Sequence, residues 1–194
     1  MATRPFTAGD ETLDGLHPLD RPKDALIAVY RYQLNVIASS VAEVVQSAGG
    51  WLCDRARAGW DVNVLVAERD EADALSILGA RAIDLDAEFG VLVKTVASAG
   101  ALAASANLLG SDTRIRDEVL RALKRGAAEV TVLGANRPDA FGRQLEPVQR
   151  RMSCAARAFK SHAVAAAVGS TCSVDATETL FRIGAEVVRP LRSV

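Results

Sequence analysis

The chain has 194 residues, of which 49% are hydrophobic and 24% charged, and a formal net charge of −1. That length buries a full core without disulfides or metals, and the near-zero charge excludes the broad positive field of a general nucleic-acid binder. Cys53, Cys154 and Cys172 are odd in number, widely spaced and form no CxxC, which argues against a disulfide framework or a zinc knuckle and for a reducing, cytoplasmic compartment.

Residues 1–22 carry Pro5, Pro18 and Pro22 with Asp10, Glu11, Asp14 and Asp20 and no apolar h-region. They read as an acidic, flexible leader without a signal peptide, ahead of a single α/β domain over 23–194. From Tyr30 the apolar residues Tyr30, Leu34, Ile37, Val41, Val44, Ala48 and Trp51 follow steps of four and three. That is a heptad seam, predicting a long N-terminal helix that Gly49-Gly50 kinks or breaks. Such a helix either crosses its own sheet or serves as an arm joining two copies, with contacts around Tyr30, Leu34 and Ile37.

Alternation in Asp61–Ala67 predicts a strand. A short helix follows over 70–78, with Asp70 as N-cap, Asp73 three residues on and Gly79 as its stop. Further strands are expected near 81–86, 128–133, 163–168 and 185–190, with a doubtful one near 91–96. The stretch from Phe89 to Gly110 holds one charge, Lys94, but is mostly Ala, Ser and Gly, so it reads as a buried segment rather than a membrane span.

A unit recurs along the chain. At an offset of 102, Arg55, Ala56, Val62 and Val66 match Arg157, Ala158, Val164 and Val168; at 105, Asp70, Leu75, Gly79 and Ala80 match Asp175, Leu180, Gly184 and Ala185. The expected fold is therefore α/β: a mainly parallel sheet of five or six strands with helices on both faces, built on an internal α-β-α-β duplication with copies at about 45–86 and 147–191.

Ligands of open parallel sheets bind at the carboxyl ends of the strands, and four loops fall there on this reading. Gly169, Ser170, Thr171 and Ser173 would present backbone N–H groups to an anion at a helix N-terminus, or form an ordinary capped turn. Asn136, Arg137 and Asp139 either converge on a ligand or punctuate a turn. Asp84 and Asp86, two apart on a strand, point to one side and are candidate metal ligands, although acidic strand ends are commonplace. Glu68 begins a charge cluster that a helix dipole alone explains. His17 falls in the leader, and His162 precedes the expected strand whose other end leads to Cys172, roughly 23 Å away, too far for a Cys–His pair within one subunit.

A helix is expected over 145–160, burying Leu145, Val148, Met152, Ala155 and Phe159 and exposing a stripe of Arg150, Ser153, Arg157 and Lys160. Residues 137–162 carry a net +4 and residues 68–88 a net −5, complementary patches that suit self-association as well as a nucleic-acid contact. With no convergent acid–base groups and no cofactor fingerprint, the leading expectation is a non-catalytic small-molecule-binding or regulatory module acting as a homodimer. The alternatives are an enzyme on a small phosphorylated or acidic substrate, using the Gly169–Ser173 loop with Asp84 and Asp86, and a nucleic-acid contact through Arg150, Arg157 and Lys160.

Overall fold

The computed structural model describes residues 32–68, 70–86, 101–125, 130–134, 145–170 and 173–183. By internal contacts the chain falls into two units, Met1–Tyr30 and Arg31–Val194, and the described residues all belong to the second. The leader, residues 91–96 and residues 185–190 lie outside the described residues.

In chain order the elements are β1 (Gln33–Ser40), α1 (Val41–Arg57), β2 (Asp61–Glu68), α2 (Ala72–Ile77), β3 (Arg81–Asp84), β4 (Ala101–Ser105), α3 (Ala106–Ser111), α4 (Thr113–Arg125), β5 (Val130–Leu133), β6 (Leu145–Arg151), α5 (Cys154–Val168) and β7 (Thr177–Ile183). The strands form one sheet in the order β3-β2-β1-β4-β5-β7-β6. The pairings β1–β2, β2–β3, β1–β4 and β4–β5 are parallel, and β7 runs antiparallel to both β5 and β6.

Period-two alternation divides the sheet residues between two cores. Leu34, Val36 and Ala38 of β1, with Val62, Val64 and Val66 of β2, face α1, α2 and α5. Ile37, Leu65, Leu102 and Ala104 face Leu109 of α3 and Ile115, Val119 and Ala122 of α4. Both faces of β1 are thus covered, and Leu34, Val36 and Ala38 have no exposed surface. On the α3–α4 side Asn35 stands opposite Asn63 in the β1–β2 register, and the Asn63 amide donates to Asn35 Oδ1 at 3.2 Å, satisfying a polar group that is nearly buried.

Several expectations require correction. The sheet is a mixed one of seven strands, not a mainly parallel one of five or six. No helix runs along the predicted seam through Leu34 and Ile37; both are buried in β1, on opposite faces of the sheet. A central strand covered on both sides carries apolar residues on both faces, here Leu34, Val36, Ile37 and Ala38, so a 3–4 spacing is found in it by accident. Leu34 and Ile37 are inside and cannot serve as contacts of a dimer arm. Nor do Gly49 and Gly50 break α1, which runs on to Arg57; they mark close approach instead. A Cβ on Gly50 would lie 1.8 Å from Met152 Sδ.

The duplication also fails. Val62 and Val66 stand in β2, whereas their partners Val164 and Val168 stand in helix α5, and Glu178 and Leu180 lie in strand β7 rather than a helix. Residues 145–151 form an edge strand, with the helix starting only at Cys154; Phe159 is therefore exposed rather than core. At α2 the N-cap is Glu71 with no side-chain cap bond, so Asp70 does not take that place, while Gly79 follows the helix with φ +76° as expected. The end of the Phe89–Gly110 stretch forms β4 and most of α3. Among the described residues no helix is long and apolar enough to cross a membrane.

Candidate active site

The chain leaves β1 to build β2 and β3 on one side and returns to place β4 on the other. At such a reversal the two outgoing connections part, leaving a crevice beyond the carboxyl ends of β1 and β4. Both strands end in serine, and both serines cap the helix that follows. Ser40 Oγ accepts from the Glu43 backbone N–H at 3.3 Å, and Ser105 Oγ from Leu108 N–H at 3.1 Å. Two first helical turns therefore stand side by side, carrying Glu43 on α1 and Asn107 on α3.

Glu43 joins them. Its Oε1 accepts from the Asn107 amide at 2.9 Å and its Oε2 from Ser39 N–H at 3.4 Å. The carboxylate thus neutralises the positive ends of the α1 and α3 backbones while remaining half-exposed to the crevice. Gly134, directly after β5, comes so close that a Cβ there would lie 3.9 Å from Glu43 Oε1. One turn along α1, Ser47 Oγ donates to the Glu43 carbonyl at 2.7 Å.

These residues line a cleft of about 600 Å³ with Gln46, Lys160 and the segment Ser173–Thr179. Its inner wall holds a buried ion pair: Lys160 Nζ lies 2.6 Å from Glu178 Oε1, with side chains 8% and 1% exposed. The pair is wired into α1. Glu178 accepts from Gly50 N–H and Trp51 N–H at 2.8 Å each, and Lys160 donates to the Gln46 carbonyl at 2.7 Å. In a regular helix that carbonyl is the partner of Gly50 N–H, so both ends of one rung of α1 are held by the pair. Lys160 and Glu178 cancel, leaving Glu43 and Asp175 as the net charge of the described lining. The cleft favours neutral or cationic groups over anions.

The sequence-predicted site residues scatter. Ser173 lines the cleft. Gly169 does not follow a strand; it is the left-handed C-cap of α5 at φ +69°, a conformation that favours glycine. Ser170 therefore follows the negative end of a helix, which repels anions, and the proposed phosphate cradle loses its physical basis. Thr171, Asn136, Arg137 and Asp139 lie outside the described residues, although Gly134, which begins their loop, borders Glu43. Glu68 ends β2 and is exposed. Asp84 ends β3, the strand at the far edge of the sheet, and its Oδ1 accepts from Asp86 N–H at 2.9 Å; Asp86 is already helical, so the two do not lie two apart on one strand. The basic stripe does not assemble either: Arg150 lies on β6, Arg157 on the exposed side of α5, and Lys160 inside. Glu43, Asn107 and the Lys160–Glu178 pair were missed by sequence reasoning. A signal for Glu43 was present, since Ser40-Val-Ala-Glu43 is a capping-box spacing.

No protein-family model matches this chain, and no curated protein matches it. Solved structures do. The A40926 pseudoaglycone deacetylase matches at a TM-score of 0.53 and 13% identity, over 79% of this chain and 97% of that one. A triple mutant of a deacetylase of the teicoplanin biosynthetic pathway matches at 0.53 and 14%, over 83% of this chain and 100% of that one. A teicoplanin deacetylase in a zinc-inhibited form matches at 0.50 and 14%, with the same coverage. These proteins are enzymes, and that finding corrects the expectation of a non-catalytic binding or regulatory module. At such identities the likeness is one of fold: this chain has the α/β fold of these antibiotic deacetylases.

Proposed function

We propose that the chain is a hydrolase that removes an acyl group from the nitrogen of a polar, uncharged or cationic substrate held in the β1–β4 cleft. The observation that supports it best is the Glu43–Asn107 bridge at the strand-order reversal, in a fold shared with two deacetylases. Glu43 is the base. It takes a proton from a water whose oxygen attacks the acyl carbonyl, and that proton passes to the leaving nitrogen as the C–N bond breaks; the carboxylic acid then gives its own proton to the amine, leaving a carboxylate and an ammonium. Asn107 holds the carboxylate in place, and Gln46, Ser47 and Ser173 supply hydrogen bonds to the substrate. The amine product carries a positive charge, which the net charge of the lining suits.

Zinc catalysis needs three protein ligands and an open position. Among the described residues no group of three His, Cys, Asp or Glu side chains is placed to hold a metal, so the described residues do not fit a zinc site and no step runs through one.

The reading is tested by acetate release from a panel of N-acetylated amino sugars and glycopeptides. Wild type should turn over at least one of them, and Glu43→Gln should lose about 10²–10⁴-fold in rate. No release from any panel member, or an unaffected Glu43→Gln variant, overturns it.

A further inference from the structure

We infer that the β1–β4 cleft takes up no zinc ion, which sets this chain apart from the like-folded deacetylase known in a zinc-inhibited form. The argument lies in the donor set. Zinc is bound by thiolate, imidazole and carboxylate groups, four to a closed site and three to an open one. The described lining holds neither histidine nor cysteine, and its carboxylates are Glu43, Asp175 and Glu178.

Glu178 is not free to ligate. Its two oxygens accept from Gly50 N–H and Trp51 N–H, and Oε1 also from the Lys160 ammonium. A metal there would have to displace a buried cation and two backbone donors. Glu43, held by the Asn107 amide and Ser39 N–H, offers a single carboxylate, with no group of three ligand-type side chains around it among the described residues. The side chains nearest it in sequence and across the crevice, Ser39, Ser40, Ser105 and Asn107, are neutral hydroxyl and amide groups, which do not hold zinc. Asp175 is exposed and by itself gives one donor. His162 is on the exposed side of α5 and does not line the cleft.

The inference rests on the donor set and the fold likeness, not on the acyl-hydrolase reading, and its test uses no substrate. The full chain, free of any polyhistidine tag, is dialysed against micromolar zinc sulfate, and the metal per chain is counted by inductively coupled plasma mass spectrometry. Thermal melting is followed in parallel with zinc and with a chelator. Far less than one zinc per chain and an unchanged melting temperature in both conditions are expected. Uptake of one zinc per chain that Glu43→Gln or Asp175→Asn abolishes overturns the inference; uptake that both variants leave in place is zinc held outside the cleft and leaves it standing. Absence of acetate release together with absence of zinc uptake defeats the acyl-hydrolase reading and leaves this inference standing.

Discussion

Lys160 on α5 and Glu178 on β7 meet at 2.6 Å inside the protein, and between them they hold the Gln46 carbonyl and the Gly50 and Trp51 N–H groups of α1. Three elements are therefore tied at one point beside the cleft. Removing one member of a buried pair strands the other without water. Lys160→Met should cost about 3–5 kcal/mol in urea unfolding. The double variant Lys160→Met, Glu178→Leu should cost less than the sum of the single changes, because neither charge is then left alone. Additive losses would show that the two groups do not act as a pair.

Gly50 has a neighbour on the far side of α1. Its missing side chain leaves room for Met152 Sδ, and Glu178 Oε1 would lie 3.2 Å from an added Cβ. Gly50→Ala gains helix propensity but forces Met152 out of place, and overpacking of this kind costs about 1–3 kcal/mol. The same substitution in a Met152→Ala background should cost clearly less. Chemical denaturation of the four proteins checks both statements.

Leu34 and Ile37 test whether the first described segment is strand or surface arm. Both are buried in β1, with Leu34 registered against Val62 and Ala101 and Ile37 against Leu65 and Ala104. A carboxylate at either site has no partner, and an unpaired buried charge costs several kcal/mol against a total stability of about 5–15 kcal/mol. Leu34→Glu with Ile37→Glu should give no folded protein by circular dichroism and size-exclusion chromatography. A folded monomer would return these residues to the surface.

Asp112 gives a pH-dependent contribution with a definite sign. The Arg114 guanidinium bonded to its carboxylate at 2.8 Å holds its pKa below the ordinary aspartate value; burial opposes this, and the Arg114 and Ile115 backbone N–H groups add to the lowering. A depressed folded-state pKa stabilises the fold above the unfolded value, and that stabilisation is lost as pH falls through the folded one. Asp112→Ala, which also removes the cap at the start of α4, should cost about 1 kcal/mol near neutral pH. Thermal melts should show the gap to wild type narrowing as the pH drops below the aspartate range. A gap that stays constant into acid would separate the effect from the carboxylate charge.

What was legible in the chain was local. Asp61–Ala67 alternates with β-branched residues and is β2, and Gly79 closes α2 as its type demands. The strand near 81–86 and that near 128–133 are β3 and β5. What misled was apolar spacing without turn punctuation. Ala38, Ser39, Ser40 and Val41 pass from strand to helix with no glycine or proline between them, so the seam runs on unbroken. Pro147 is the residue that reads against a helix over 145–160, since proline within a sheet belongs on an edge strand, and β6 is an edge. The site was hidden for a different reason. Glu43 and Asn107 lie 64 positions apart and Lys160 and Gln46 lie 114 apart, and only the strand order makes them neighbours.

That strand order also sets a timetable for synthesis. Residues 33–84 hold β1, β2 and β3, all of which leave the ribosome before β4. The other edge of β1 receives β4 only later, across a long stretch of intervening chain. Until then β1, with its run of five buried residues, presents a bare row of N–H and C=O groups, the feature that templates unwanted pairing with another chain. Long-range parallel pairing is also slow to form. Chaperone dependence and aggregation during expression should therefore trace to the interval between β3 and β4, and conditions that slow the chain in that interval should lower the yield of folded protein.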